Sequence, residues 1–240
     1  MATIKARGLV LKTTDVGESD RIVTLLLFER GRLSVSAKGA RNAKSKFLAG
    51  AQPFNYCDFV LFAGTGFYSL ASAELVESYY GVTKDYDTLC AGSYMLELTE
   101  KVIMENANCD DMLGALLISL RALVKGAHPP ELVRSVYEYK FLQLNGYSPV
   151  LDVCSACGGE LSGRLYFGPY GAVCSACADE DTAEVSAGCL HAISYIVSSD
   201  IKRLFLFTAD KKITAELIRA GGIFFNAHMD VDLSSRKFVP

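Results

Sequence analysis

Four cysteines in two close pairs constrain this chain more than any other feature. Cys154-Ser155-Ala156-Cys157 and Cys174-Ser175-Ala176-Cys177 give the pattern C-x2-C, sixteen residues, C-x2-C. Each pair can present two sulfurs from one short turn, and the intervening segment can loop back so that four thiolates close a tetrahedral shell around Zn²⁺. Gly158 and Gly159 follow the first pair, where a tight turn needs a residue tolerant of positive φ. Gly168-Pro169-Tyr170-Gly171 reads as a hairpin turn, so the whole segment resembles a zinc ribbon. Four thiolates leave no position open for water or substrate, so the expected zinc, one per chain, is structural. Metal binding worth on the order of 10 kcal/mol would fold a segment that lacks a core of its own.

Two other uses of these cysteines stand beside the metal: disulfides, or a redox C-x-x-C. The chain opens Met1-Ala2-Thr3-Ile4-Lys5 and runs into charged residues rather than an apolar signal segment. The expected compartment is therefore a reducing cytosol, where thiols stay free or bind metal. Cys57, Cys90, Cys109 and Cys189 lie among apolar residues and read as small buried side chains.

Charge is unevenly distributed. The chain carries −3 overall, yet residues 1–50 hold ten Lys or Arg against four acids, a net +6, and the other 190 residues carry −9. A positive head on a negative body points to an anionic partner for the head, although a solvated surface gives the same pattern. No run of eighteen apolar residues exists, so no membrane partner is expected.

Periodicity divides the chain. Residues 3–13, 21–28, 32–38, 54–62 and 67–73 read as five short strands joined by Gly-bearing turns, which fits a small closed barrel such as an OB-fold. In the third strand Leu33, Val35 and Ala37 alternate with Arg32, Ser34, Ser36 and Lys38, placing two cations on its solvent face. Beyond residue 80 the period becomes helical over Asp85–Glu105 and Asp110–Lys125, then from Pro129-Pro130 to Leu144, with Gly146 as the cap. Further helices are expected over Ser186–Ser198 and Asp210–His228. The expected fold class is α+β multidomain: an OB-fold β-barrel at 1–80, an α-helical domain at 81–150 and 183–240, and a four-cysteine zinc-ribbon insertion at 151–182.

Catalytic motifs do not match. Gly39-Ala40-Arg41-Asn42-Ala43-Lys44-Ser45 half-resembles a P-loop, but Lys44 stands where the second glycine belongs. His128, His191 and His228 are isolated, and no G-x-S-x-G elbow occurs. A binding protein rather than an enzyme is expected.

The order of these parts resembles the RecO family of bacterial recombination-mediator DNA-repair proteins over essentially the whole chain. The residues that carry the resemblance are Gly8-Leu9-Val10-Leu11, Gly17-Glu18-Ser19-Asp20-Arg21-Ile22-Val23, Gly31, Ala37-Lys38-Gly39-Ala40-Arg41 and Lys44-Ser45. Tyr139-Lys140-Phe141-Leu142, Gly146-Tyr147-Ser148-Pro149 ahead of Cys154, and the closing Ser235-Arg236-Lys237-Phe238 add to it. The resemblance implies a non-enzymatic mediator whose OB-fold binds single- and double-stranded DNA. It implies annealing of strands coated by single-strand-binding protein and, with a RecR partner, loading of the RecA recombinase. Lys38, Arg41, Lys44 and Lys46, with Arg32 and Arg21, are the expected DNA-contacting cations, able to neutralise phosphates without reading sequence. Phe47, Phe54, Tyr56 and Tyr68 are candidates for base stacking, half or more of them expected in the core. The helical domain is expected to accept the acidic, apolar tail of single-strand-binding protein in an apolar groove with a cation at its rim, with Arg121, Lys125, Arg134 and Lys140 as the candidate cations. A zinc-ribbon and OB-fold RNA-binding module is the alternative reading, and a thiol redox enzyme a third.

Overall fold

The computed structural model describes residues 2–42, 44–105, 107 and 109–238. It resolves into two compact units, Met1–Val124 with Leu233–Pro240, and Lys125–Asp232.

In the first unit the described strands are β1 (Ala2–Val16), β2 (Asp20–Leu27), β3 (Gly31–Ala37), β4 (Asn55–Ala63) and β5 (Tyr68–Ser78). They close into a barrel in the order β1-β2-β3-β5-β4, with β1 pairing both β2 and β4. A short parallel contact, Val35↔Tyr68 and Ser36↔Ser69, joins β3 to β5. The expected alternation in β3 holds: Leu33, Val35 and Ala37 are buried, and Arg32, Ser34 and Ser36 are less so. They join Val10, Val23, Leu25, Leu27, Phe59, Leu61 and Leu70 in the barrel core. β1 runs longer than the sequence suggests. A register shift between Val10 and Lys12 turns it, so that one strand serves two neighbours. β5 continues to Ser78, beyond the expected end at residue 73.

Helices α1 (Tyr86–Val102) and α2 (Asp110–Lys125) belong to the same unit. The Asp85 carboxylate accepts from the Thr88 N–H and caps α1. Tyr94, Met95 and Leu98 of α1 and Leu113, Leu116 and Leu120 of α2 are buried, as the helical period requires. The closing segment also lies in this unit. The Glu97 carboxylate accepts from the Ser234 N–H (3.0 Å) and hydroxyl (2.7 Å) and from the Ser235 N–H (2.8 Å) and hydroxyl.

The second unit contains α3 (Pro130–Leu144), α4 (Ala187–Ser198), α5 (Lys211–His228) and a small sheet of β6 (Leu165–Gly168), β7 (Gly171–Cys174) and β8 (Ala183–Val185) in the order β7-β6-β8. Gly168↔Gly171 closes the expected hairpin turn. Ser186 and Asp210 cap α4 and α5 through their side-chain oxygens. α3 is buried at nearly every position from Leu132 to Leu142, so it is the central helix rather than a half-exposed one. Phe167 of β6 reaches into this helical core, 6.4 Å from Tyr139 and 6.1 Å from Phe224 between ring centres. That single buried ring ties the cysteine hairpin to α3 and α5.

Candidate nucleic-acid interface and metal centre

The sequence motifs around residues 17–21 and 37–41 come together at one end of the barrel. Arg21 pairs across the sheet with Ala37 and with Asp15. The Asp20 carboxylate accepts from the Gly39 N–H (2.8 Å) and the Ser19 hydroxyl (3.0 Å), which hold its pKa below the usual range. The Arg41 N–H donates to the Ser19 carbonyl (3.0 Å), and the Arg41 guanidinium donates to the Gly17 carbonyl (2.6 Å). Asp20 and Arg41 thus stitch the start of the basic loop, residues 38–48, to the β1–β2 turn.

The cations of this region fall into two classes. Arg21 donates to Asp15 at 2.8 Å, and Arg41 lies 3.4 Å from the other oxygen of the same carboxylate. Arg21 is the main cause of a lowered Asp15 pKa, with Arg41 a lesser one. One acid therefore offsets two guanidiniums. Lys38, Lys44 and Lys46 are exposed, and among the described residues no carboxylate lies within 4 Å of their ammonium groups, although Lys38 is a minor cause of the lowered Asp20 pKa. Lys46 also stands over the Phe47 ring, 4.9 Å from its centre. Arg32 lies at the far end of β3, six residues and about 20 Å of strand from Lys38, half-buried and 4.0 Å from Glu105. Ala43, part of the near P-loop match, lies outside the described residues.

Phe47 and Phe54 are buried, and Tyr56 and Tyr68 are half-buried, with Tyr68 packed on the barrel core. Among the described residues the phenylalanines that stand out from the barrel are instead Phe28, at the β2–β3 turn, and Phe62 and Phe67, on the β4–β5 hairpin. The Gly64-Thr65-Gly66 turn between the last two is the signal that marks Phe67 as a hairpin-tip residue.

The four candidate tail-binding cations occupy different settings. Arg121 donates to Glu77 at 2.6 Å on a half-exposed surface, and Lys125 is exposed at the end of α2. Arg134 is buried against Glu138 at 2.8 Å, and the buried Lys140 ammonium donates to the carbonyls of Val197 (3.2 Å) and Ser199 (2.8 Å) at the end of α4. The last two have internal structural duties. In the first unit an apolar groove is lined by Tyr86, Leu89, Cys90, Phe238 and Lys237.

In the second unit the sulfurs of Cys154, Cys157, Cys174 and Cys177 all lie within 4.8 Å of one another, and the quartet can hold a metal ion. Backbone hydrogen bonds build both turns. The Cys154 N–H donates to the Gly159 carbonyl, the Gly158 N–H to the Cys154 carbonyl, and the Cys177 N–H to the Cys174 carbonyl. Gly158 takes φ +71°, the left-handed conformation its turn calls for. The Cys174 N–H donates to the Cys154 sulfur (3.4 Å). That bond, then one from the Cys157 N–H, holds the Cys154 thiol down to about 6. Cys177 is pushed up to about 12, first by its hydrogen bond with Cys157 and then by that with Cys174.

Comparison with known proteins identifies the family. A family model described as "Recombination protein O N terminal" matches residues 1–79, and one described as "Recombination protein O C terminal" matches residues 83–237. The chain is 32% identical over 243 residues to a DNA repair protein RecO of Acetivibrio thermocellus, covering all of this chain and 97% of the relative. It is 33% identical to that of Caldicellulosiruptor saccharolyticus, over 89% of this chain and 88% of the relative. It is 31% identical to that of Bacillus pumilus, over 98% and 93%.

Proposed function

The chain belongs to the recombination protein O family and so acts in DNA repair and recombination, and from that premise we propose that it is a strand-annealing mediator that grips the DNA backbone with its basic loop. The observation that carries the reading is the loop itself: three exposed lysines, Lys38, Lys44 and Lys46, with no carboxylate within 4 Å of their ammonium groups among the described residues, on a segment pinned to the barrel by Asp20 and Arg41. Uncompensated cations release counterions when they meet phosphates, which is the sequence-independent part of DNA affinity. Arg21, Arg41 and Arg32 contribute where a phosphate can displace Asp15 or Glu105. Backbone contacts leave bases free to pair, which annealing requires. Bringing strands together by charge neutralisation makes or breaks no covalent bond, so the protein acts as a mediator rather than an enzyme.

The same reading assigns the partners. Single- and double-stranded DNA occupy the barrel, and a RecR partner cooperates in loading RecA. The acidic tail of single-strand-binding protein takes an apolar groove with a cation in its wall. The groove formed by Tyr86, Leu89, Cys90, Phe238 and Lys237 meets that physical requirement, with Arg121 and Lys125 as further cations on α2. The expected division into a barrel at 1–80, helical parts at 81–150 and 183–240 and a cysteine insertion at 151–182 is kept as the functional division. No helix among the described residues is long and apolar enough to cross a membrane, and the bacterial cytoplasm is the proposed setting.

The metal proposed for the cysteine quartet is Zn²⁺. Tetrahedral Zn–S bonds of about 2.3 Å place sulfurs about 3.8 Å apart, and the Cys157–Cys174 pair is at 4.0 Å. Zinc there would fix the hairpin that carries Phe167 and supply no chemistry.

A fluorescent oligonucleotide titrated across a salt series, with and without the tail peptide, tests the reading. Lys38→Glu with Arg41→Glu should abolish binding of both DNA forms while leaving barrel circular dichroism intact. Retained affinity at moderate salt would overturn it.

A further inference from the structure

We propose that the outer face of the β4–β5 hairpin is a base-stacking platform for unpaired nucleic acid, formed by Phe62 and Phe67 and anchored by Lys5. The proposal rests on the DNA-binding reading and adds to it a second contact surface, which meets the basic loop at Lys38.

Strand register puts one belt of residues around the barrel. Thr3 pairs with Phe62, Phe62 with Ser69, Ser69 with Ser36, Ser36 with Ile22 and Ile22 with Thr14. Their chain neighbours Leu61, Leu70, Val35, Ala37 and Val23 are core residues, so the belt faces outward. Phe62 is 40% exposed and Ile22 42%. One step along the hairpin, the Gly64 N–H donates to the Phe67 carbonyl (2.9 Å) and closes the turn. Phe67 therefore projects on the same face as Ser69 and lies diagonal to Phe62, a separation of about 7–8 Å that aromatic rings can share.

Phe67 is not held by a core. A β-carbon at Gly64 would meet two carbons of its ring at 3.3 and 3.4 Å, so the ring rests on bare glycine backbone. It remains 60% exposed. A ring supported on one side and open to solvent is a surface for another flat apolar group. Two such rings on one hairpin mark an interaction site rather than scattered surface apolarity.

Charge decides the kind of partner. The belt contains no charged residue. Lys5, exposed and paired with Val60, lies diagonal to Phe62, and Lys38 extends the same outward row two residues beyond Ser36. Among the described residues no carboxylate lies within 4 Å of either ammonium group, although Lys38 helps to lower the Asp20 pKa; farther along this face Asp58 is held by Arg7 at 2.7 Å and faces Glu74 of β5. Uncharged rings rimmed by exposed ammonium groups match a base flanked by phosphates. Duplex bases have both faces covered, so the platform takes single strands and the lysine loop takes either form. Base–aromatic stacking supplies roughly 5- to 150-fold in affinity per base.

The chain contains no tryptophan, so Phe67→Trp gives a single fluorescent reporter. Its emission should be quenched by oligothymidine and unchanged by an abasic strand of equal length. Unquenched emission on bound oligothymidine, followed by anisotropy, overturns the proposal. In the full chain, Phe62→Leu with Phe67→Leu keeps the patch apolar and removes the rings. Oligothymidine affinity should fall at least tenfold, with duplex affinity within twofold and melting unchanged. Undiminished oligothymidine binding would overturn the proposal, as would equal loss for both DNA forms. Failure of the unaltered protein to bind any DNA would instead remove the underlying DNA-binding reading, and the platform with it.

Discussion

Salt dependence separates the free cations of the barrel from those already engaged. Each single-strand phosphate neutralised contributes about 0.7 to the slope of log affinity against log salt. Among the described residues no carboxylate lies within 4 Å of the Lys38, Lys44 and Lys46 ammonium groups, so together they account for a slope of about −2. Affinity should then fall roughly 20-fold between about 50 and 200 mM salt through these three side chains alone. Converting all three to alanine should flatten the slope by about 2, and each single change by about 0.7. Arg41→Ala should behave differently, because its guanidinium already faces Asp15 and donates to the Gly17 carbonyl. It should weaken binding by loosening the loop, with little change in slope. Fluorescence anisotropy of an oligothymidine over four or five salt concentrations reads both quantities. An Arg41→Ala slope change as large as that of Lys38→Ala, or a triple variant that loses less than one lysine's share, would refute the two-class assignment.

Three further outcomes are expected. Cys157→Ser should lose the bound metal, about one ion per chain by elemental analysis, and lower the melting temperature and solubility more than DNA affinity; wild-type melting would contradict a structural metal. Glu97 is buried enough to raise its pKa, but hydrogen bonds from Ser235 and Ser234 outweigh this and bring it from 4.5 down to about 2. A depressed carboxylate stabilises the fold above its unfolded pKa and loses that contribution as pH falls from about 4.5 through about 2, so up to about 3 kcal/mol should disappear over that window. Glu97→Gln should remove this acid dependence and speed amide exchange at Ser234 and Ser235, and unchanged acid melting would rule the latch out. Lys140→Met should lower stability by about 1–3 kcal/mol in urea unfolding, because two carbonyls at the end of α4 lose their donor, and should leave tail-peptide affinity alone.

The sequence alone determined the features whose causes lie within a few residues. The C-x2-C pairs named the four cysteines whose sulfurs converge, since two sulfurs from one turn need only local backbone. Strict alternation in β3 told its inner face from its outer one. Ser186, Asp210 and the proline pair marked helix starts, because a cap is a contact between near neighbours. Only tertiary structure decided which cations are available, because Asp15 meets Arg21 and Arg41 across strands and a turn. It likewise buried Phe47 and Phe54 and left Phe62 and Phe67 outside, a difference that residue type does not carry. It made α3 the central helix of its unit, so Arg134 and Lys140 became internal while their charge pattern resembled a surface. Burial belongs to the whole assembly of elements, and charge and aromaticity acquire a role only once it is known which side of that assembly they face.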